Sequence, residues 1–184
     1  MVAAYEYTMR AKILPTIETV SPFPAHAIPR AWEWMQSFMA RVADDYGPKT
    51  KDEFVDQFLS REGVLSWGVK RDGELGGMVT FQPISPVVGM IHLLYRKDFW
   101  GKATTDASMR EICKDIFGRG FNKIASLVFA DNNAIIAMSM RFGGKREGLL
   151  RQQTMRGGKP ADVVAIGVLR EDFEQCHQQP YCQS

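Results

Sequence analysis

The run from Met90 to Ala130 constrains the fold most. Met90-Ile91-His92-Leu93-Leu94-Tyr95 reads as an apolar strand, Arg96 to about Thr104 as a short joint with one glycine, and Lys123 to Ala130 as a second apolar strand. Between them, Thr105 to Phe117 places Met109, Ile112, Cys113 and Ile116 at helical spacing, and Gly118 and Gly120 close that helix. Two strands joined by a crossing helix run parallel, with a right-handed crossover. The joint is chemically suggestive as well. A helix N-terminus leaves backbone N–H groups without intrahelical acceptors and carries the positive end of the helix dipole, so it favours an anion.

The flanks extend this unit. Val64 to Lys70 alternates as a strand, Arg71-Asp72-Gly73-Glu74 carries the Asp-Gly hairpin signal, and Leu75 to Gln82 returns, giving an antiparallel meander with Met90 to Tyr95. Downstream, Asp131-Asn132-Asn133 caps a helix running to Phe142, which Gly143-Gly144 ends. Leu149 to Met155 and Ala161 to Leu169 form a hairpin through Arg156-Gly157-Gly158-Lys159-Pro160.

Before the meander lie strand-like Ala11 to Leu14 and Ile17 to Val20, separated by Pro15, then a loop with three prolines from Ser21 to Pro29. Arg30 to about Asp45 is helical in period, with Trp34, Phe38 and Val42 in one row and Met35 and Met39 beside it. Gly47-Pro48 stops it, and Thr50 with Glu53 forms a capping box for a second helix, Lys51 to about Arg61, with Phe54, Phe58 and Leu59 as its stripe. These helices are expected to wall or cover the sheet. The expected fold class is α/β of mixed, α+β character: a mixed, mostly antiparallel sheet of about six to seven strands with helices on both faces. The chain is expected to be one domain: a variable part (1–63), a core (64–173) and a loose polar tail (174–184).

Composition removes several alternatives. The chain has 184 residues, 45% hydrophobic and 24% charged, which suffices for a real core. A net charge of +2 does not argue for nucleic acid or a membrane surface. No apolar run approaches the ~20 residues that span a bilayer. Met1 to Tyr7 lacks the pattern of a signal peptide, so a cytoplasmic location is expected. Cys113, Cys176 and Cys182 have neither zinc-ligand spacing nor an even count, so neither a metal site nor a disulfide framework is expected.

Three strings, in this order and spacing, resemble the GNAT (Gcn5-related N-acetyltransferase) superfamily. Phe99-Trp100-Gly101-Lys102-Ala103-Thr104-Thr105-Asp106-Ala107 is similar to its coenzyme A loop, with Ala103 where a glycine is common. Asn132-Asn133-Ala134-Ile135-Ile136-Ala137-Met138-Ser139-Met140-Arg141-Phe142-Gly143 resembles its following helix, and Lys145 to Gln152 with Asp162-Val163-Val164 its terminal hairpin. The match covers about Trp67 to Phe173 and is most like the branch that acetylates ribosomal-protein N-termini.

The resemblance implies a V-shaped split between two parallel strands, His92 to Tyr95 and Leu127 to Ala130, holding acetyl-CoA. Leu94 and Tyr95 would meet the cofactor along the strand. Trp100, Gly101, Lys102, Ala103, Thr104 and Thr105 would hold its pyrophosphate, and Asn132 would bond its amide portion or simply cap a helix. Ser139 would protonate the leaving thiolate, its alternative being a back-bonded helix serine. His92 would serve as a base, directly or through water, or as a structural histidine. Glu147 and Asp162 are lesser carboxylate candidates. Trp32, Trp34 and Phe54 could line the acceptor groove or the core, and Asp44 and Asp45 could attract a cationic acceptor or be a solvated helix end. Arg141, Lys145, Arg146 and Arg151 could meet adenosine phosphates or be plain surface.

The implied activity is transfer of an acetyl group from acetyl-CoA to a primary amine (a protein N-terminus, a lysine or a small amine) by direct attack in a ternary complex. The competing reading is a non-catalytic acyl-CoA-binding or protein-interaction module. A nucleotide- or RNA-modifying acyltransferase is a third. The expected partners are acetyl-CoA and an amine acceptor, without membrane or nucleic acid, and with a homodimer left open.

Overall fold

A computed structural model describes residues 15–37 and 43–178, the last two without their side chains. Ala11 to Leu14, Phe38, Met39, Val42 and Cys182 lie outside the described residues. The elements in order are β1 (Ile17–Val20), α1 (Ile28–Gln36), α2 (Lys51–Phe58), β2 (Leu65–Arg71), β3 (Glu74–Ser85), β4 (Val88–Tyr95), α3 (Lys102–Gly118), β5 (Lys123–Phe129), α4 (Asn133–Arg141), β6 (Lys145–Arg156), β7 (Lys159–Leu169) and α5 (Arg170–Gln178).

The seven strands form one sheet in the order β1-β2-β3-β4-β5-β7-β6. Every neighbouring pair is antiparallel except β4 and β5. The β2–β3 hairpin turns on Asp72 and Gly73, whose φ values of 53° and 80° are those an Asp-Gly pair supplies. Thr50 Oγ1 accepts from the Glu53 amide at 3.2 Å, and Glu53 Oε2 accepts from the Lys49 amide at 2.6 Å, so the capping box that starts α2 is formed.

The expected split is present. β4 and β5 pair only at Val88–Lys123, Gly89–Ile124 and Met90–Ala125. Beyond that, β4 stays with β3 as far as Tyr95, and β5 stays with β7 as far as Phe129. Each strand keeps its outer ladder while the inner edges part.

Helices cover both faces. On one, α1 and α2 bury Trp34, Met35 and Phe54 against Met78 and Leu94. On the other, α3 buries Met109, Ile112, Cys113 and Ile116 against Val79, Phe81 and Tyr95. Several elements run further than the sequence expectation. α3 begins at Lys102, three residues early; β3, β6 and β7 are longer than expected; and α5 continues past Phe173 to Gln178. Phe173 explains the last difference. It is 4% exposed and packs on Phe117 with ring centroids 5.3 Å apart, which holds an otherwise polar segment to the core.

Candidate active site

A cleft of about 1420 Å³ opens where β4 and β5 part, and it reaches both faces of the sheet. Residues alternate along β4. Leu94 therefore faces α1 and α2, with His92 two residues before it on the same side, while Tyr95 and Leu93 face α3.

On the α3 side, the joint after β4 is held from below. Phe99 is fully buried, and the guanidinium groups of Arg71 and Arg96 lie 4.4 and 4.8 Å from its ring centre. Arg96 forms ion pairs with Glu74 and with Asp98, each at 2.6 Å, and holds both carboxyls below their ordinary range. A Cβ on Gly76 would lie 2.3 Å from the Phe99 ring, so glycine is what lets that ring seat. This cluster holds Trp100, which lines the cleft, and Gly101 beside it.

Gly101 is the N-cap of α3, with φ 152° and ψ 147°, a conformation that L side chains rarely adopt. Ala103 lies in the first helical turn, where φ is negative and a methyl costs nothing. The Thr105 amide is already bonded to Gly101 O at 2.9 Å, and Thr105 Oγ1 donates to the same oxygen at 3.0 Å. Thr104 and Thr105 are buried, whereas Gly101, Lys102 and Ala103 are exposed. The joint thus presents a short arc of first-turn amides, 101–104, with a lysine beside it. The Tyr95 hydroxyl is fully buried against Ser108 Oγ at 2.9 Å, which leaves only its backbone to a ligand in the split.

α4 supplies the opposite lip. Asn132 Oδ1 accepts from the Ile135 amide at 3.4 Å, so this side chain caps the helix. Ser139 lines the cleft at 8% exposure, and its hydroxyl donates to Ile135 O at 3.0 Å. Arg141 is joined to Asp106 of α3 by two hydrogen bonds at 2.6 and 2.8 Å. This is a tie between the two lips. Lys145 likewise pairs with Asp172 at 2.7 Å, so two of the four cations in the basic stretch are engaged inside the protein.

On the other side, His92 meets Phe58 edge-on at 5.1 Å between centroids. Burial, and secondarily the charge of Arg61, pushes its imidazole down to about 4, so it is neutral at pH 7. Trp32 and Phe54 pack on each other at 5.8 Å; Phe54 is fully buried in the wall and also lines the cleft. Cys113 borders the cleft too, but burial raises its thiol to about 12, so it is inert.

The segment around Asp44 closes this side. The Asp45 carboxylate accepts from the Gly157 and Gly158 amides at 2.8 Å each, and its own amide donates to Met155 O. Asp44 Oδ2 accepts from Thr154 Oγ1 at 2.7 Å. The two aspartates therefore strap the segment ahead of α2 to the β6–β7 hairpin. Glu147 pairs with Lys123 at 2.6 Å, and Asp162 Oδ1 accepts from the Gln152 amide at 2.7 Å in the irregular stretch of β6. The strap, the Asp106–Arg141 tie and, apart from the local contacts of Arg96 with Asp98 and Phe99, the Phe99 cluster escaped the sequence because their partners lie 22 to 113 residues apart and leave no local pattern.

Among the described residues no helix is long and apolar enough to cross a membrane, and no group of His, Cys, Asp or Glu could hold a metal ion.

Residues 28–143 match the model of the acetyltransferase (GNAT) family. The uncharacterized N-acetyltransferase YoaA of Bacillus subtilis (strain 168) is 23% identical over 122 residues, 64% of this chain and 68% of that protein. The spermidine N-acetyltransferase of Vibrio cholerae, solved with CoA and spermine, superposes with a TM-score of 0.72 at 14% identity, over 88% of this chain and 98% of that one. The ribosomal-protein-S18-alanine N-acetyltransferase of Escherichia coli gives 0.68 at 15% identity, over 84% and 94%.

Proposed function

The chain belongs to the acetyltransferase (GNAT) family and is an acyltransferase, and from that premise we propose that it transfers the acetyl group of acetyl-CoA to a primary amine in a ternary complex. The observation that carries this reading is the split itself. β4 pairs with β5 for three residues and then presents a free inner edge as far as Tyr95, which leads through the joint into the amide arc of 101–104. An open strand edge suits the amides of pantetheine, and a helix N-terminus beside Lys102 suits a pyrophosphate. Trp100 and the backbone of Leu94 and Tyr95 complete that side, with Asn132 on the opposite lip.

When bound, acetyl-CoA supplies the thioester carbonyl that the amine attacks. The protein's residues position and move protons. His92, neutral and half-buried, accepts a hydrogen bond from the amine and passes its proton to water, since burial disfavours the imidazolium. As the C–N bond forms and the C–S bond breaks, the Ser139 hydroxyl turns from Ile135 O, gives its proton to the sulfur and is reprotonated from solvent. The products are an N-acetyl amide and free CoA. Holding both reactants in one cleft provides much of the acceleration.

The test is a pool of amines and peptide N-termini incubated with acetyl-CoA, followed by thiol release and by mass spectrometry of the products. Acetylated amine with stoichiometric thiol is the expected result, slowed about 10-fold or more in S139A without loss of coenzyme binding. Binding without turnover would favour a non-catalytic acyl-CoA module instead.

A further inference from the structure

The acceptor half of the cleft has a charge at one end and an apolar floor. The Asp44 carboxylate accepts from the Tyr46 amide at 3.1 Å and from the Thr154 hydroxyl at 2.7 Å, both neutral donors. Among the described residues no cation pairs with it. The cleft's other carboxylate, Asp131, is already matched by the Arg156 guanidinium, which also covers the Phe129 ring at 4.4 Å. Asp44 thus brings an uncompensated negative charge into a half-buried place.

Strand register locates it relative to the chemistry. Continuing the Met90–Ala125 pairing sets His92 level with Leu127, which lies opposite Ala165 of β7. Asp44 is hooked to Thr154, which lies opposite Ala161. Those two levels are four residue steps apart on β7, about 13 Å at the rise of a strand. Leu127, Phe129 and Val163 share the face between them, and Leu127 is 51% exposed there. An anion at one end, a proton acceptor at the other and apolar side chains between describe an acceptor with a matching pattern.

We propose that Asp44 selects acceptors with a second positive centre, separated from the reacting amine by an apolar segment of roughly 10 Å or more. This rests on the acetyl-transfer reading of the same cleft. A long-chain diamine and a peptide amine with a basic side chain share that chemistry.

The test measures binding to the protein saturated with CoA, which cannot react, by titration calorimetry. The probes are 1,8-diaminooctane against octylamine, and a tetrapeptide ending in Arg against the same peptide ending in Gln. D44N removes the charge but keeps both partners, its carbonyl oxygen accepting from the Tyr46 amide and its NH2 donating to the Thr154 hydroxyl oxygen. It is expected to weaken the doubly charged ligands about tenfold and the singly charged ones less than twofold, while D44E keeps the preference. The source that binds more tightly to the wild type identifies the acceptor class. Equal weakening of singly and doubly charged ligands, or no binding by either class, overturns the proposal. The expected binding pattern with no acetyl transfer would instead contradict the proposed activity and leave the Asp44 inference standing.

Discussion

Gly101 and His92 are the two residues whose chemistry depends most on where the fold puts them. At φ 152° the Gly101 backbone excludes a side chain for conformational reasons alone, since nothing lies within 4 Å of where a Cβ would sit. Gly101→Ala should therefore cost roughly 1–3 kcal/mol in urea denaturation and weaken CoA binding by tilting the first-turn amides. His92 gives a pH signature. Its folded value, about 4, lies below the ordinary 6.5 because burial, and then Arg61, disfavour the cation. Between those values the unfolded chain binds more protons, so stability rises with pH and is lost as pH falls through that window. The loss is at most about 3 kcal/mol, and chemical denaturation of H92Q across pH 4 to 7 should show a flatter curve than the wild type. The capping roles of Thr50 and Asn132 were legible from residue type and spacing, because a cap is a local interaction. The burial of His92 was not, because Phe58 reaches it from another element.

At the scale of elements, the joint between β4 and α3 was recognisable in the sequence, but its boundary was not. Lys102 to Thr104 read as loop, yet the helix takes them in because Gly101 makes the turn alone and Thr105 closes onto it. The consequence is favourable for a ligand: Ala103 lies at negative φ, so its methyl does not obstruct the amides. The tie between α3 and α4 is the complementary case. Asp106 is 17% exposed and bonded twice to Arg141. Asp106→Asn should cost about 1–2 kcal/mol, discounted for the partial exposure of Arg141, and should raise the KM for acetyl-CoA more than that for the amine. On the other lip, Asp45→Ala should leave CoA binding unchanged while the Gly157 and Gly158 amides exchange with deuterium faster, because their acceptor is gone.

The whole molecule is two half-sheets that share three residue pairs and are bridged again by the strap and by the helix tie. Its topology was the most legible level. The crossover hand, the turn chemistry and the alternating strands each restrict the sheet, and together they leave few arrangements. The long-range clamps that shape the cleft belong to no local pattern and appear only once the chain is folded. The central claim is that the split and the amide arc hold acetyl-CoA. Hydrogen–deuterium exchange with and without acetyl-CoA tests it most directly. The account predicts slowed exchange in peptides covering Ile91 to Tyr95 and the first turn of α3, with the β1–β2 edge unchanged. Unchanged exchange at both of those segments, with protection elsewhere or none, would contradict it.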